Sequence, residues 1–211
     1  MKKRFILLVV MAMIFGLAVS ANATLTVIGT GTINGGTTPY QLIYDSGLNV
    51  TWLDYTNPTN TWQNQVNWAS SLNVDFNGTN FTGWSLPSTV DAAASGNYPP
   101  APSSSQMAYL YYTDLGNTTA GFTNAGPFKN LLTSWYWSGT EYSASPSDAW
   151  DFNFTQGHQG LDAKNVWYYD HGLAVRPGDA AAVPEPGTMI LIGTGLAGLA
   201  GWKKWAMRRG A

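Results

Sequence analysis

The chain has 211 residues, of which 10% are charged and 14% aromatic, and it contains no cysteine. Disulfides, thiolate metal sites and cysteine nucleophiles are therefore excluded together. Eleven of the twelve acidic residues lie between Asp45 and Asp179, against only Lys129, Lys164 and Arg176, so the middle carries a net charge near −8 and excludes nucleic acid as a partner.

At the N-terminus, Lys2-Lys3-Arg4 precedes an apolar run over residues 5–19, and Ala21 and Ala23 supply small side chains at the −3 and −1 positions. This pattern predicts a signal peptide over residues 1–23, read by the export machinery and cut by signal peptidase.

Residues 24–57 read as strands. Leu25, Val27 and Ile33 sit among Gly and Thr, residues 41–44 form a short β run, and Leu48, Val50 and Trp52 alternate with polar partners. The period then changes. Trp62, Val66, Ala69 and Leu72 fall on one helical face over residues 61–72, with Asn60 or Thr61 as N-cap.

Residues 77–83 form a Gly/Asn turn region and residues 97–105 a Pro/Ser loop. Residues 106–115 can form a second helix, stopped by Gly116. Strand character returns at residues 135–138 and is clearest at 148–155, where Trp150, Phe152 and Phe154 face one way and Asp151, Asn153 and Thr155 the other. Residues 156–160 read as a turn and 166–175 as the returning strand. Helices first and hairpins last indicate an α+β domain.

The C-terminus has three parts in order. Val183-Pro184-Glu185-Pro186-Gly187-Thr188 is rigid and non-helical. Residues 189–202 are apolar and rich in Gly, and Lys203, Lys204, Arg208 and Arg209 form a basic cluster that the positive-inside rule keeps in the cytoplasm. Fourteen residues at about 1.5 Å each span roughly 21 Å, short of a hydrocarbon core of about 30 Å, which suits a segment held only briefly.

This arrangement resembles the PEP-CTERM sorting signal, the tag of exosortase substrates. The resemblance implies a Gram-negative, exopolysaccharide-producing source and cleavage at or near Pro184-Glu185-Pro186. It also implies transient residence in the inner membrane through a transmembrane sorting helix, then a place at the cell surface or in the extracellular matrix.

A second resemblance runs through the middle. Gly47-Leu48, Thr51-Trp52-Leu53-Asp54, Trp62 with Ala69, Gly83-Trp84-Ser85-Leu86-Pro87, Trp135-Tyr136-Trp137-Ser138, Ala149-Trp150-Asp151-Phe152 with Gly157, and Val175-Arg176-Pro177-Gly178 follow one another in order. The series resembles the Lcl C-terminal domain family, which is similar to the C-type-lectin and formylglycine-generating-enzyme fold. It implies a mixed domain with two helices and a small twisted antiparallel sheet. Some members adhere to sulfated glycans, which the acidic middle of this chain does not suit, and the cysteine-dependent oxidase activity of that fold is excluded. The resulting division is a signal peptide (1–23), N-terminal strands (24–46), the Lcl-like domain (47–179) and the sorting signal (180–211).

Of the two histidines, His158 sits in a Gly/Gln turn and His171 follows Asp170, with no further soft ligands to make a zinc site. Asp148, Asp151, Asp162, Asp170 and Asp179 offer oxygen ligands for calcium, but no regular Asp-x-Asp-x-Asp-Gly loop holds them, so no metal is expected. Asp148, Asp151 and Glu141 lack the spacing signature of a glycosidase pair.

Aromatic residues crowd the last third of the chain. Adjacent Trp135, Tyr136 and Trp137 cannot share one face of a strand, and exposed rings beside Asn and Asp suit the C–H faces and hydroxyls of sugars. Trp135, Trp137, Tyr142, Asp148, Asn153, Trp167 and Tyr169 are thus the candidate ligand-binding residues. The alternative is that the rings only pack the core. The expected protein is non-catalytic, needs no cofactor, and binds extracellular polysaccharide or another surface protein. A structural matrix component without a ligand and an unrecognised hydrolase are the other readings.

Overall fold

The computed structural model describes residues 24–181. Nine strands occur: β1 (Leu25–Ile33), β2 (Pro39–Asp45), β3 (Val50–Asn57), β4 (Val74–Phe76), β5 (Thr79–Phe81), β6 (Trp135–Glu141), β7 (Asp148–Asn153), β8 (His158–Ala163) and β9 (Asp170–Pro177). They form one sheet in the order β5-β4-β1-β2-β3-β9-β6-β7-β8. Every pairing is antiparallel except that of β6 with β9, which run parallel through Trp135↔Asp170 and Tyr136↔His171. Asn77 and Gly78 both adopt positive φ between β4 and β5, the two-residue turn that matches the twist of a hairpin.

Two short helices accompany the sheet. α1 (Trp62–Ser70) is amphipathic and packs Ala69 against Trp137, Ala149 and Leu86 on one face. α2 (Gln106–Tyr109) begins where the Ser105 hydroxyl accepts the N–H groups of Met107 and Ala108, and runs into a π-helical turn, Leu110–Asp114. Met107, Leu110 and Tyr111 pack on the opposite face against Tyr136, Phe152 and Phe154. Because both faces are covered, Tyr136 and Trp137 are each fully buried on opposite sides of β6. Burial of large side chains of this kind contributes roughly 1.5–3 kcal/mol each.

The α+β expectation, a C-type-lectin-like mixed domain with two helices and a twisted antiparallel sheet, is corrected. The molecule is predominantly β, with one nine-stranded sheet that includes a parallel pair. The sequence over residues 106–115 is α-helical for only four residues before its hydrogen bonding widens to the π pattern. Meanwhile β5 forms within the stretch expected as a turn, β8 begins inside the expected turn over 156–160, and β4 forms where no element was expected.

Among the described residues no helix is long and apolar enough to cross a membrane. The transmembrane sorting helix expected over residues 189–202 lies outside the described residues, as do Ala21, Ala23, Pro184, Glu185, Pro186, Lys203, Lys204, Arg208 and Arg209.

Candidate functional site

The far half of the sheet carries a cleft of about 390 Å³, lined by Trp135, Asp151, His158, Gly160, Leu161, Asp162 and Tyr169. The ladder explains how these residues meet. Asp151 lies opposite Gly160 on β8 and Trp137 on β6, while Asp162 lies opposite Ala149, so Asp151 and Asp162 are diagonal neighbours on one face. Asp170 enters from β9, in register with Trp135. One carboxylate oxygen from each of Asp151, Asp162 and Asp170 lies within 4.8 Å of the others.

Gly160 makes the room. A Cβ there would stand 2.7 Å from the Asp151 carboxylate and 3.4 Å from the Trp135 ring, so a side chain would push both aside. His158 meets the Trp135 ring edge-on with centroids 5.8 Å apart, and meets Tyr98 in the same way at 5.3 Å. The backbone of Asp170 is fixed from the helix side, its carbonyl accepting from the Asn60 N–H at 3.1 Å and from Gln65 Nε2 at 3.4 Å. Gln65 is a buried polar residue on α1, and its Oε1 accepts from Asn57 Nδ2 at 2.7 Å.

The three carboxylates differ in their donors: Asp162 accepts the Ala163 N–H at 2.7 Å, whereas the two buried ones keep unpartnered oxygens. Asp170 is fully buried with neither side-chain oxygen hydrogen-bonded, and Asp151 is 3% exposed with Oδ1 unpartnered. Burial, then the charges of Asp170 and Asp162, pushes the Asp151 carboxyl up to about 8. Burial, then Asp162, pushes Asp170 up to about 7.

Beside the cleft stands an aromatic surface. Trp167, Tyr168 and Tyr169 are 63%, 54% and 55% exposed, with neighbouring ring centroids 5.7 and 4.2 Å apart.

Of the residues marked out in the sequence, Trp135 and Tyr169 line the cleft and Trp167 lies on the adjoining aromatic surface. Four have other employment. Trp137 is buried and donates from Nε1 to the Asn60 carbonyl. Asn153 accepts the Thr155 N–H and so closes the turn after β7. Tyr142 packs its ring on Trp150. Asp148 accepts from the Ser147 hydroxyl. Of the five aspartates considered as oxygen donors, three converge and Asp148 and Asp179 do not join them. Recognising β8 as the hairpin partner of β7 is the signal that would have placed Asp151 and Asp162 on one face.

Comparison with known proteins bears on the other end of the chain. A family model described as the PEP-CTERM protein-sorting motif matches residues 182–204. The motif indicates an exported protein with a C-terminal sorting signal, for which exosortase is the processing partner. No curated protein and no solved structure matches the chain, and the resemblance of the middle to the Lcl family finds no support there.

Proposed function

We propose that the protein, once sorted, is a non-catalytic surface or extracellular-matrix component that binds a neutral glycan in the cleft between β6, β7 and β8. The observation that carries this reading is the pairing of Trp135 and Tyr169 at a cleft that also presents His158 and Asp162, with Trp167 and Tyr168 exposed alongside. Aromatic rings stack on the C–H faces of sugars while polar groups take their hydroxyls. The strongly acidic middle of the chain favours an uncharged ligand over a sulfated one. Binding is favoured over hydrolysis because two of the three carboxylates are nearly or fully buried, and a general acid must come within hydrogen-bond reach of the bond it breaks.

The test is native electrophoresis of the full chain in detergent, through gels cast with a β-glucan, a galactomannan or dextran, with heparin as the polyanion control. Retardation by a neutral polysaccharide is expected, reduced at least tenfold in affinity by Trp135→Ala or Tyr169→Ala and absent with heparin. Equal mobility in every gel, or retardation that survives both substitutions, would sink the reading. Release of reducing sugar would replace it with a hydrolase.

The processing part has its own measurement. The mass of the protein recovered from its native host should lack residues 1–23 and the tail from about residue 183. An intact tail in the inner membrane would instead leave a simple anchored protein.

A further inference from the structure

The floor of the cleft has a chemistry that glycan binding does not use. Three aspartates from three strands converge there without a positive partner. Among the described residues the only ion pair is Lys164 with Glu141, and Arg176 lies over the Phe81 ring. Asp170, fully buried, has both side-chain oxygens unpartnered and brings one of them to this cluster, and Asp151 is unpartnered at Oδ1. A fold supplies donors to a buried carboxylate unless something else satisfies it, because an unpaired buried charge is among the costliest groups a protein can hold.

We infer that Asp151, Asp162 and Asp170 bind one divalent cation, and that the cation is calcium. The ligand atoms are all carboxylate oxygens, the donor set of hard cations rather than of zinc. Their mutual spacing of up to 4.8 Å fits around a single ion, since calcium–oxygen bonds of about 2.3–2.6 Å place opposed ligands about 4.6–5.2 Å apart. Magnesium, with bonds of about 2.0–2.1 Å, demands a tighter cage. Asp151 and Asp162 line the cleft, and the partly exposed Asp162 gives the ion an entry path and water to complete its shell. The ion would join β7, β8 and β9, the last of which is linked to β7 only through β6.

The inference stands apart from the sugar reading, and its probe is calcium chloride alone. The full chain in detergent, stripped with a chelator, is titrated calorimetrically and then melted with and without calcium. One ion per chain is expected, with a Kd of roughly 0.1–1 mM, as in extracellular calcium modules. At a tenfold excess over Kd the melting temperature should rise by roughly 3–6 °C. Asp170→Asn should weaken binding at least tenfold. Asp162→Asn, at a partly exposed position, should do the same without disturbing the core, so a folding failure in the first variant leaves the second to decide.

A further signature separates ligation from a structural role. Asp170→Asn should raise the melting temperature of the stripped protein while reducing the gain on adding calcium, whereas a merely structural aspartate would lower both melting temperatures together. Absence of heat and of any melting shift at about 10 mM calcium, or affinity unchanged in both variants, would overturn the inference. Calcium binding without polysaccharide binding would leave it intact and remove only the glycan reading.

Discussion

Asp54 and Asp170 are both fully buried, on adjacent strands of one sheet, yet their surroundings differ in kind. Asp54 accepts the backbone N–H of Lys129 at 3.0 Å and that of Asn130 at 2.9 Å, tying the 129–130 segment to β3. Asp45, likewise fully buried, takes the N–H groups of Gly47 and Leu48 and the indole of Trp52. Asp170 and Asp151 stand among other carboxylates, and Asp170 has no donor at all. The half of the sheet around β3 uses buried acid as a structural cross-link. The half around β7 holds it unspent, and unsatisfied charge of that sort points to a ligand rather than to stability.

The comparison can be broken by making the same substitution on each side. Asp54→Asn replaces a charged acceptor of two backbone donors, and should cost about 3 kcal/mol in urea denaturation. A cost near zero would show that the cross-link is dispensable. Asp151→Asn should act with the opposite sign in the calcium-free protein, raising stability by about 1 kcal/mol at neutral pH by removing a buried carboxyl that must take up a proton in order to fold. If it destabilises instead, the two halves are alike after all.

A smaller effect sharpens the contrast within the first half. Burial, then the charge of neighbouring Asp45, pushes the partly buried Asp114 carboxyl from its ordinary value of 3.8 up to about 8. Folded Asp114 therefore binds its proton more tightly than unfolded Asp114 does. Its contribution to stability is complete below the unfolded value and is lost as pH rises through about 8. Asp45 and Tyr109 are the titratable groups beside it. Asp114→Asn should flatten the fall in denaturation free energy between about pH 4 and 8, and coincident curves for the two proteins would assign that fall elsewhere.

The sequence made β7 legible because Trp150, Phe152 and Phe154 alternate with polar residues. The same pattern misled about the other side of the strand. Alternation normally marks one wet face, but Asp151 and Asn153 are buried, because Trp135, Asp162 and Asp170 close over the first and a turn over the second. β8 escaped notice for a compositional reason. Its one large apolar side chain, Leu161, is 41% exposed, and His158, Gly160 and Asp162 face the cleft, so neither periodicity nor propensity announces a strand.

α1 was visible from Trp62, Val66 and Ala69, although Gln65, its most buried polar side chain, breaks the apolar stripe in order to hold the start of β9. The convergence of Asp151, Asp162 and Asp170 depends on the parallel docking of β9 beside β6. That is a long-range pairing, and no local window of sequence contains it.

The placement of β9 has a temporal side. Strands β1 to β5 make one sheet fragment and β6 to β8 another, and β9 is the only strand that touches both, with β3 on one edge and β6 on the other. A polypeptide threaded across a membrane from its N-terminus delivers both fragments before residues 170–177 arrive. Until then the edges of β3 and β6 lack the strand that lies between them. The strand that seals them is followed within a few residues by the sorting motif at 182–204, and the Thr51 hydroxyl holds the chain just past it by bonding the Gly178 carbonyl and the Ala180 N–H. The strand that completes the sheet and the sorting motif are therefore neighbours in sequence, so a chain delivered from its N-terminus supplies the two in quick succession.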